Sequence, residues 1–140
     1  MINSFDNYLK LGKAKKKTPD PEEAKALINK AMDRLEYIKI KGVTEKTAKF
    51  VLEDAYESAR EAAQSLMSVK GFKPYSHEAT ISFLKKFYPS EFKEEDLHNF
   101  DRFRQLRNNS VYKAVEINIE DAKSSLVFAK GLIQKVRMIK

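Results

Sequence analysis

Arg104 and Arg107, in one short stretch, have the chemistry to hold an anion. In Asp101-Arg102-Phe103-Arg104-Gln105-Leu106-Arg107-Asn108-Asn109-Ser110-Val111-Tyr112, residues Phe100, Phe103, Arg107 and Ser110 recur at helical spacing. Leu97, Arg104 and Val111 lie close to the same stripe. Arg104 and Arg107 therefore sit within or beside an apolar face. A guanidinium in such a place needs a carboxylate partner or a bound anion. Asn108 and Asn109 then weaken the helix, because short amide side chains compete for nearby backbone groups. The result is a cationic, polar patch among aromatics near a helix end. Two readings stay open: an anion site, or ion pairs to Asp and Glu of neighbouring helices that stiffen the fold.

The other groups with catalytic potential are sparse. Two histidines are present. His77 starts near the core face of a short helix, where a bond to a backbone group or carboxylate is its ordinary role. His98 falls on a polar side with Arg102 and Gln105 and is expected to face solvent. The chain has no cysteine, which removes disulfides, thiolate metal sites and thiol nucleophiles. A Gly-rich phosphate loop, His-Glu-x-x-His and the Glu-x-x-His pairs of di-iron bundles are all missing. Nothing marks one serine as a nucleophile. No metal and no cofactor are expected.

The 140 residues suit one core. With 42% hydrophobic and 34% charged residues, the chain has enough apolar material to fold under a highly charged surface. The net charge of +7 suits a polyanion or an acidic protein as partner. Part of the excess sits in Lys13 and Lys15-Lys16-Lys17, which read as a solvated linker. No apolar run approaches eighteen residues and no signal-peptide pattern is present, so a soluble, cytoplasmic protein without membrane contact is expected.

The elements that must position the patch are helical throughout. Ile2, Phe5 and Leu9 share one side of a short N-terminal helix ending near Gly12. Asp20-Pro21-Glu22-Glu23 is a helix start, with Asp20 as cap and Glu23 placed to reach back. Ala24, Ile28, Ala31, Leu35 and Ile38 form its stripe, and Lys41-Gly42 ends it. Thr44 can cap the next helix. There Ala48, Leu52, Ala55, Ala59, Ala62, Leu66 and Val69 make the longest periodic signal, with Asp54, Glu57 and Glu61 off the stripe and free to meet arginines. Ser76 caps a short helix stopped by Pro89. The arginine helix spans Phe92 to Tyr112. Asn118 opens the last helix, whose apolar face is widened by Val127, Phe128 and Leu132, as if covered on more than one side, including by another subunit. No useful strand-like alternation appears. The expected architecture is an all-α antiparallel four-helix bundle with an additional short helix. It would be divided into a short N-terminal helix and basic linker over 1–18 and a bundle domain over 19–140.

The run Arg107-Asn108-Asn109-Ser110-Val111-Tyr112 resembles the Arg-x4-6-His motif of HEPN domains, in which Asn often follows the Arg. Ala55-Tyr56-Glu57-Ser58-Ala59-Arg60-Glu61-Ala62-Ala63 is similar to that family's small-residue helix. Lys70-Gly71-Phe72-Lys73-Pro74, followed by His77 and Phe83-Leu84, is similar to its loop and next short helix. The resemblance runs from about residue 20 to the C-terminus. It implies a helical bundle that dimerises, bringing two arginine motifs to one cleft. It also implies one of several activities: a metal-independent ribonuclease, often a toxin paired with a nucleotidyltransferase antitoxin, a nucleotide-binding module, or a non-catalytic one.

Under the resemblance, Arg107 and Asn108 become cleft residues, while the His position holds Tyr112. Cleavage of RNA needs a group that moves a proton from the 2′-hydroxyl or to the leaving oxygen. Histidine does so near neutrality with an unperturbed pKa of about 6.5, and tyrosine's is about 10. A second register starting at Arg104 puts Ser110 in the His position and Tyr112 in the place of a modifiable tyrosine. The leading expectation is a catalytically impaired HEPN-like domain. It would bind nucleotide, RNA or a partner through a dimeric cleft lined by Arg104, Arg107, Asn108 and Tyr112. One alternative is an active ribonuclease with Arg107, Tyr112 or His77 as catalytic groups. The other is a structural interaction module whose partner is a nucleotidyltransferase-type protein.

Overall fold

The computed structural model describes residues 2–139. Its elements run α1 (Phe5–Lys10), β1 (Ala14–Lys16), α2 (Pro21–Lys41), α3 (Ala48–Lys70), β2 (Phe72–Pro74), α4 (His77–Phe87), α5 (Glu94–Lys113) and α6 (Ile119–Met138). The four long helices and the short α4 are the expected bundle. Among the described residues, no helix is long and apolar enough to cross a membrane.

Helix α3 is the axis, packing against α2, α4, α5 and α6. Its alanines at 48, 55, 59, 62 and 63 are wholly buried, which lets neighbouring backbones approach closely. Burial is not confined to one stripe. Tyr56, Ser58, Glu61, Ser65, Met67 and Ser68 are also inside, whereas Val69, placed on the stripe by its spacing, is exposed. The polar groups among them have partners. Ser58 Oγ donates to the Ala31 carbonyl at 2.6 Å, and Arg34 holds Glu61 through Nε and Nη2 at 3.0 and 3.2 Å.

Several helix ends follow their cap residues. Asp20 Oδ1 accepts from the Glu23 amide at 2.9 Å, Ser76 Oγ from Ala79 at 3.1 Å, and Asn118 Oδ1 from Asp121 at 2.7 Å. Two expected caps differ. Glu23 does not reach back to its own helix start, because its carboxylate accepts from Ser68 Oγ of α3 at 2.6 Å and Lys17 Nζ at 3.3 Å. Thr44 does not open α3. It pairs with Thr47 across a turn, and the helix begins at Ala48.

The expected linker over Lys13–Thr18 is corrected by a two-stranded sheet. β1 pairs antiparallel with β2, setting Ala14 opposite Pro74, Lys15 opposite Lys73 and Lys16 opposite Phe72. Alternating polarity is too short there to show as a strand. Pairing is driven by docking, since Ala14 and Phe72 turn inward and are buried. Gly71 makes the turn from α3 possible: its φ is +85°, and a Cβ there would lie 2.6 Å from the Lys17 carbonyl oxygen. Helix α1 docks as well, with Phe5 in edge contact with Phe72, Phe83 and Phe87.

On the α6 side, Leu132 is buried and Phe128 packs on Phe100 and Phe103 at 5.5 and 5.4 Å. Much of that widened face is thus covered by α5 of the same chain, with Val127 left exposed.

Candidate functional site: an arginine-lined cleft

Helix α5 starts at Glu94, two residues later than its spacing suggests. Asp96 Oδ2 accepts from the Lys93 amide at 3.0 Å. Leu97, Phe100 and Phe103 bury one face, and the helix packs against α3, α4 and α6. The Asn108-Asn109 pair does not end the helix. It runs on to Lys113, where Ala114 adopts a left-handed φ of 52° and the Val115 amide closes onto the Asn109 carbonyl.

Arg104, Arg107, Asn108 and Tyr112 meet His77 and Glu78 of α4 around an open cleft of about 260 Å³. Arg104, Arg107, Asn108 and Tyr112 therefore share one hollow, joined by His77 from a separate helix. The two arginines differ. Arg104 is satisfied within the fold, donating from Nε to Asp101 at 2.7 Å and lying 3.9 Å from Glu78. Arg107 has no carboxylate in ion-pair contact among the described residues. Its Nη1 donates to Asn108 Oδ1 at 3.1 Å and lies 3.5 Å from the Tyr112 hydroxyl, and its guanidinium sits 5.6 Å from the Tyr112 ring centroid. Neutral partners orient this cation without neutralising it. Ser110 faces away, donating to Glu53 at 2.6 Å and buried beside α3. His98 is exposed on another face.

The groups behind the cleft come from α3, and sequence spacing does not assign them to it. Tyr56 is buried, and its hydroxyl lies 3.0 Å from His77 Nδ1. Burial pushes the Tyr56 phenol well up, so it stays protonated. Arg60 Nε donates to Glu57 Oε1 at 2.6 Å and Nη1 to Gln64 at 2.8 Å. Burial would raise the Glu57 carboxyl, but the bonds and charge of Arg60 outweigh it and hold it low. Burial, then the charges of Arg60 and Arg107, take His77 down to about 4, against the opposing pull of Glu57. At neutral pH the imidazole is uncharged. The three-residue spacing of Glu57 and Arg60 was the one visible hint of this layer.

Larger hollows lie elsewhere. The groove between α5 and α6, about 410 Å³, has its charges already paired: Lys135 bonds Asp96 at 2.7 Å, and Arg102 bonds Asp121. The cleft is smaller but holds the unneutralised cation. Among the described residues no group of three His, Asp or Glu side chains converges to hold a metal ion.

Six packed helices, with α4 and α5 flanking the cleft, form the helical bundle that the resemblance implies. The HEPN domain family model matches residues 24–139, and the chain belongs to that family of ribonucleases and nucleotide-binding modules. No protein of curated function matches the chain. No solved structure matches it either.

Proposed function

We propose that this HEPN domain binds the phosphate of a nucleotide or RNA through Arg107 and does not turn it over. The carrying observation is the Arg107 guanidinium, oriented by Asn108 and Tyr112 and lacking a carboxylate, in an open cleft. A phosphate oxygen supplies the charge-assisted bonds that this cation lacks. Tyr112, in the position of the motif histidine, can donate to such an anion but is a poor base near neutrality. His77 is held too low to serve as a strong base in the free protein. The cleft is open on one side, and the proposal includes a homodimer in which a second copy closes it.

The test is a salt titration of RNA binding for the wild type beside Arg107→Ala. Wild-type affinity should fall steeply as salt rises, and Arg107→Ala should bind weakly with a shallower slope at unchanged Tm. Absence of binding at low salt would remove the ligand claim.

One observation favours a second reading, a ribonuclease using His77. The imidazole shares the cleft with Arg107, and a bound phosphate would offset the charges that depress its pKa. RNA incubated with chelator and protein decides: products from the wild type that vanish in both His77→Ala and Arg107→Ala would replace the non-catalytic reading. The structural-module reading gains only if neither binding nor cleavage occurs and a nucleotidyltransferase co-purifies.

A further inference from the structure

We infer that the outer face of the β1–β2 ribbon is a binding track for single-stranded nucleic acid, with Tyr75 as its stacking platform. The inference rests on the phosphate-binding reading of the Arg107 cleft, which the track extends.

The register supplies the geometry. Lys15 lies directly opposite Lys73, and the Tyr75 amide donates to the Lys13 carbonyl at 2.7 Å, which continues the ribbon by one pair. Side chains alternate along strands, so Lys13, Lys15, Lys73 and Tyr75 share the face opposite to buried Ala14 and Phe72. All four are exposed, Tyr75 at 54%.

Two lysines converge on one ring. Lys15 Nζ lies 5.6 Å and Lys73 Nζ 5.5 Å from the Tyr75 centroid. Like charges directly opposite one another destabilise a ladder, and no carboxylate relieves this pair among the described residues. In this stretch Lys17 turns instead to Glu23, at 3.3 Å. A polyanion removes the repulsion. An exposed ring flanked by cations is also the arrangement that stacks bases while its neighbours take the backbone.

The ribbon ends close to the cleft along the chain. Tyr75 stands two residues before His77, a chain distance of at most about 7 Å. His77 and Arg107 line the same hollow. A strand whose phosphate rests on Arg107 thus has neighbouring nucleotides beside Tyr75. A lone nucleotide engages the cleft and gains nothing from the ribbon.

The experiment uses a fluorescent ten-nucleotide oligouridylate and, separately, uridine monophosphate. Four proteins are titrated across salt: wild type, Lys15→Ala/Lys73→Ala, Tyr75→Ala and Arg107→Ala. Melting curves confirm folding; Lys15, Lys73 and Tyr75 are exposed, and Arg107 is half-buried. The double lysine variant should flatten the oligonucleotide salt slope by about 1.4. Tyr75→Ala should weaken oligonucleotide binding by about five- to 150-fold. Neither should change monophosphate binding. Oligonucleotide binding lost in Arg107→Ala but untouched by the ribbon variants overturns the track and leaves the cleft reading standing. No oligonucleotide binding by the wild type at low salt overturns both. Equal weakening of a blunt duplex by Tyr75→Ala overturns the stacking role.

Discussion

The Tyr56 hydroxyl lies 3.0 Å from His77 Nδ1, tying the buried axis helix to the first residue of α4. Through this bond the core fixes where the imidazole stands in the cleft, and its surroundings fix its charge.

That charge state gives a pH dependence with a definite sign. The His77 pKa is lowered from 6.5 to about 4 by burial and by Arg60, Arg107 and Arg104, so the unfolded chain binds the proton more readily. The stability this contributes is complete above pH 6.5 and is lost as pH falls through 4. Tm should therefore drop more steeply across that window for the wild type than for His77→Gln. Parallel curves would show that the imidazole titrates like a free one.

Two glycines should respond to alanine with opposite signs. Gly71→Ala forces a side chain into a left-handed turn and against the Lys17 carbonyl, and should cost at least about 2 kcal/mol. Gly131 lies within α6 with open space at its Cβ position, so Gly131→Ala should stabilise by about 0.5–1 kcal/mol. Urea denaturation of the two variants measures both.

Glu61 is almost fully buried, and Arg34 holds it with two bonds while Lys30 lies 3.5 Å away. Arg34→Met leaves that buried carboxylate only the longer contact to Lys30 and should cost about 3 kcal/mol. Adding Glu61→Leu should recover much of the loss, because the under-compensated buried charge and not the missing contact is the larger cost. A double-mutant cycle by chemical denaturation reads this directly.

The non-catalytic proposal predicts a gain of function. Tyr112→His places an imidazole beside Arg107, where the tyrosine hydroxyl is now 3.5 Å away. The variant should cleave RNA in the presence of chelator, and adding Arg107→Ala should abolish the cleavage. An inert Tyr112→His would show that the residue at 112 is not what limits catalysis.

The bundle was readable because its stripes are long. The runs Ala24 to Ile38 and Ala48 to Leu66 repeat often enough for periodicity to outweigh local exceptions. The cleft residues on α5 were readable from Arg107-Asn108 and the helical spacing around them. What stood apart from them was not. No spacing joins Tyr56 or Arg60 to His77, because that layer exists only once α3 and α4 pack. Lys15 and Lys73 are far apart in sequence and become neighbours through a three-residue pairing too short to carry a pattern. Nor could sequence separate Arg104 from Arg107. Their difference lies in whether a carboxylate one turn away, Asp101, rotates toward the guanidinium.

The first strand also sets a limit on how the chain can be shortened. A gene trimmed to the family boundary at residue 24 would discard buried Ala14 and Phe5, which packs on the rings of Phe72, Phe83 and Phe87. Those rings would then face water as a sticky seam, and the segment leading into His77 would lose its brace. Insoluble material from such a truncation would report an uncapped wall of the molecule rather than an intrinsically unstable bundle.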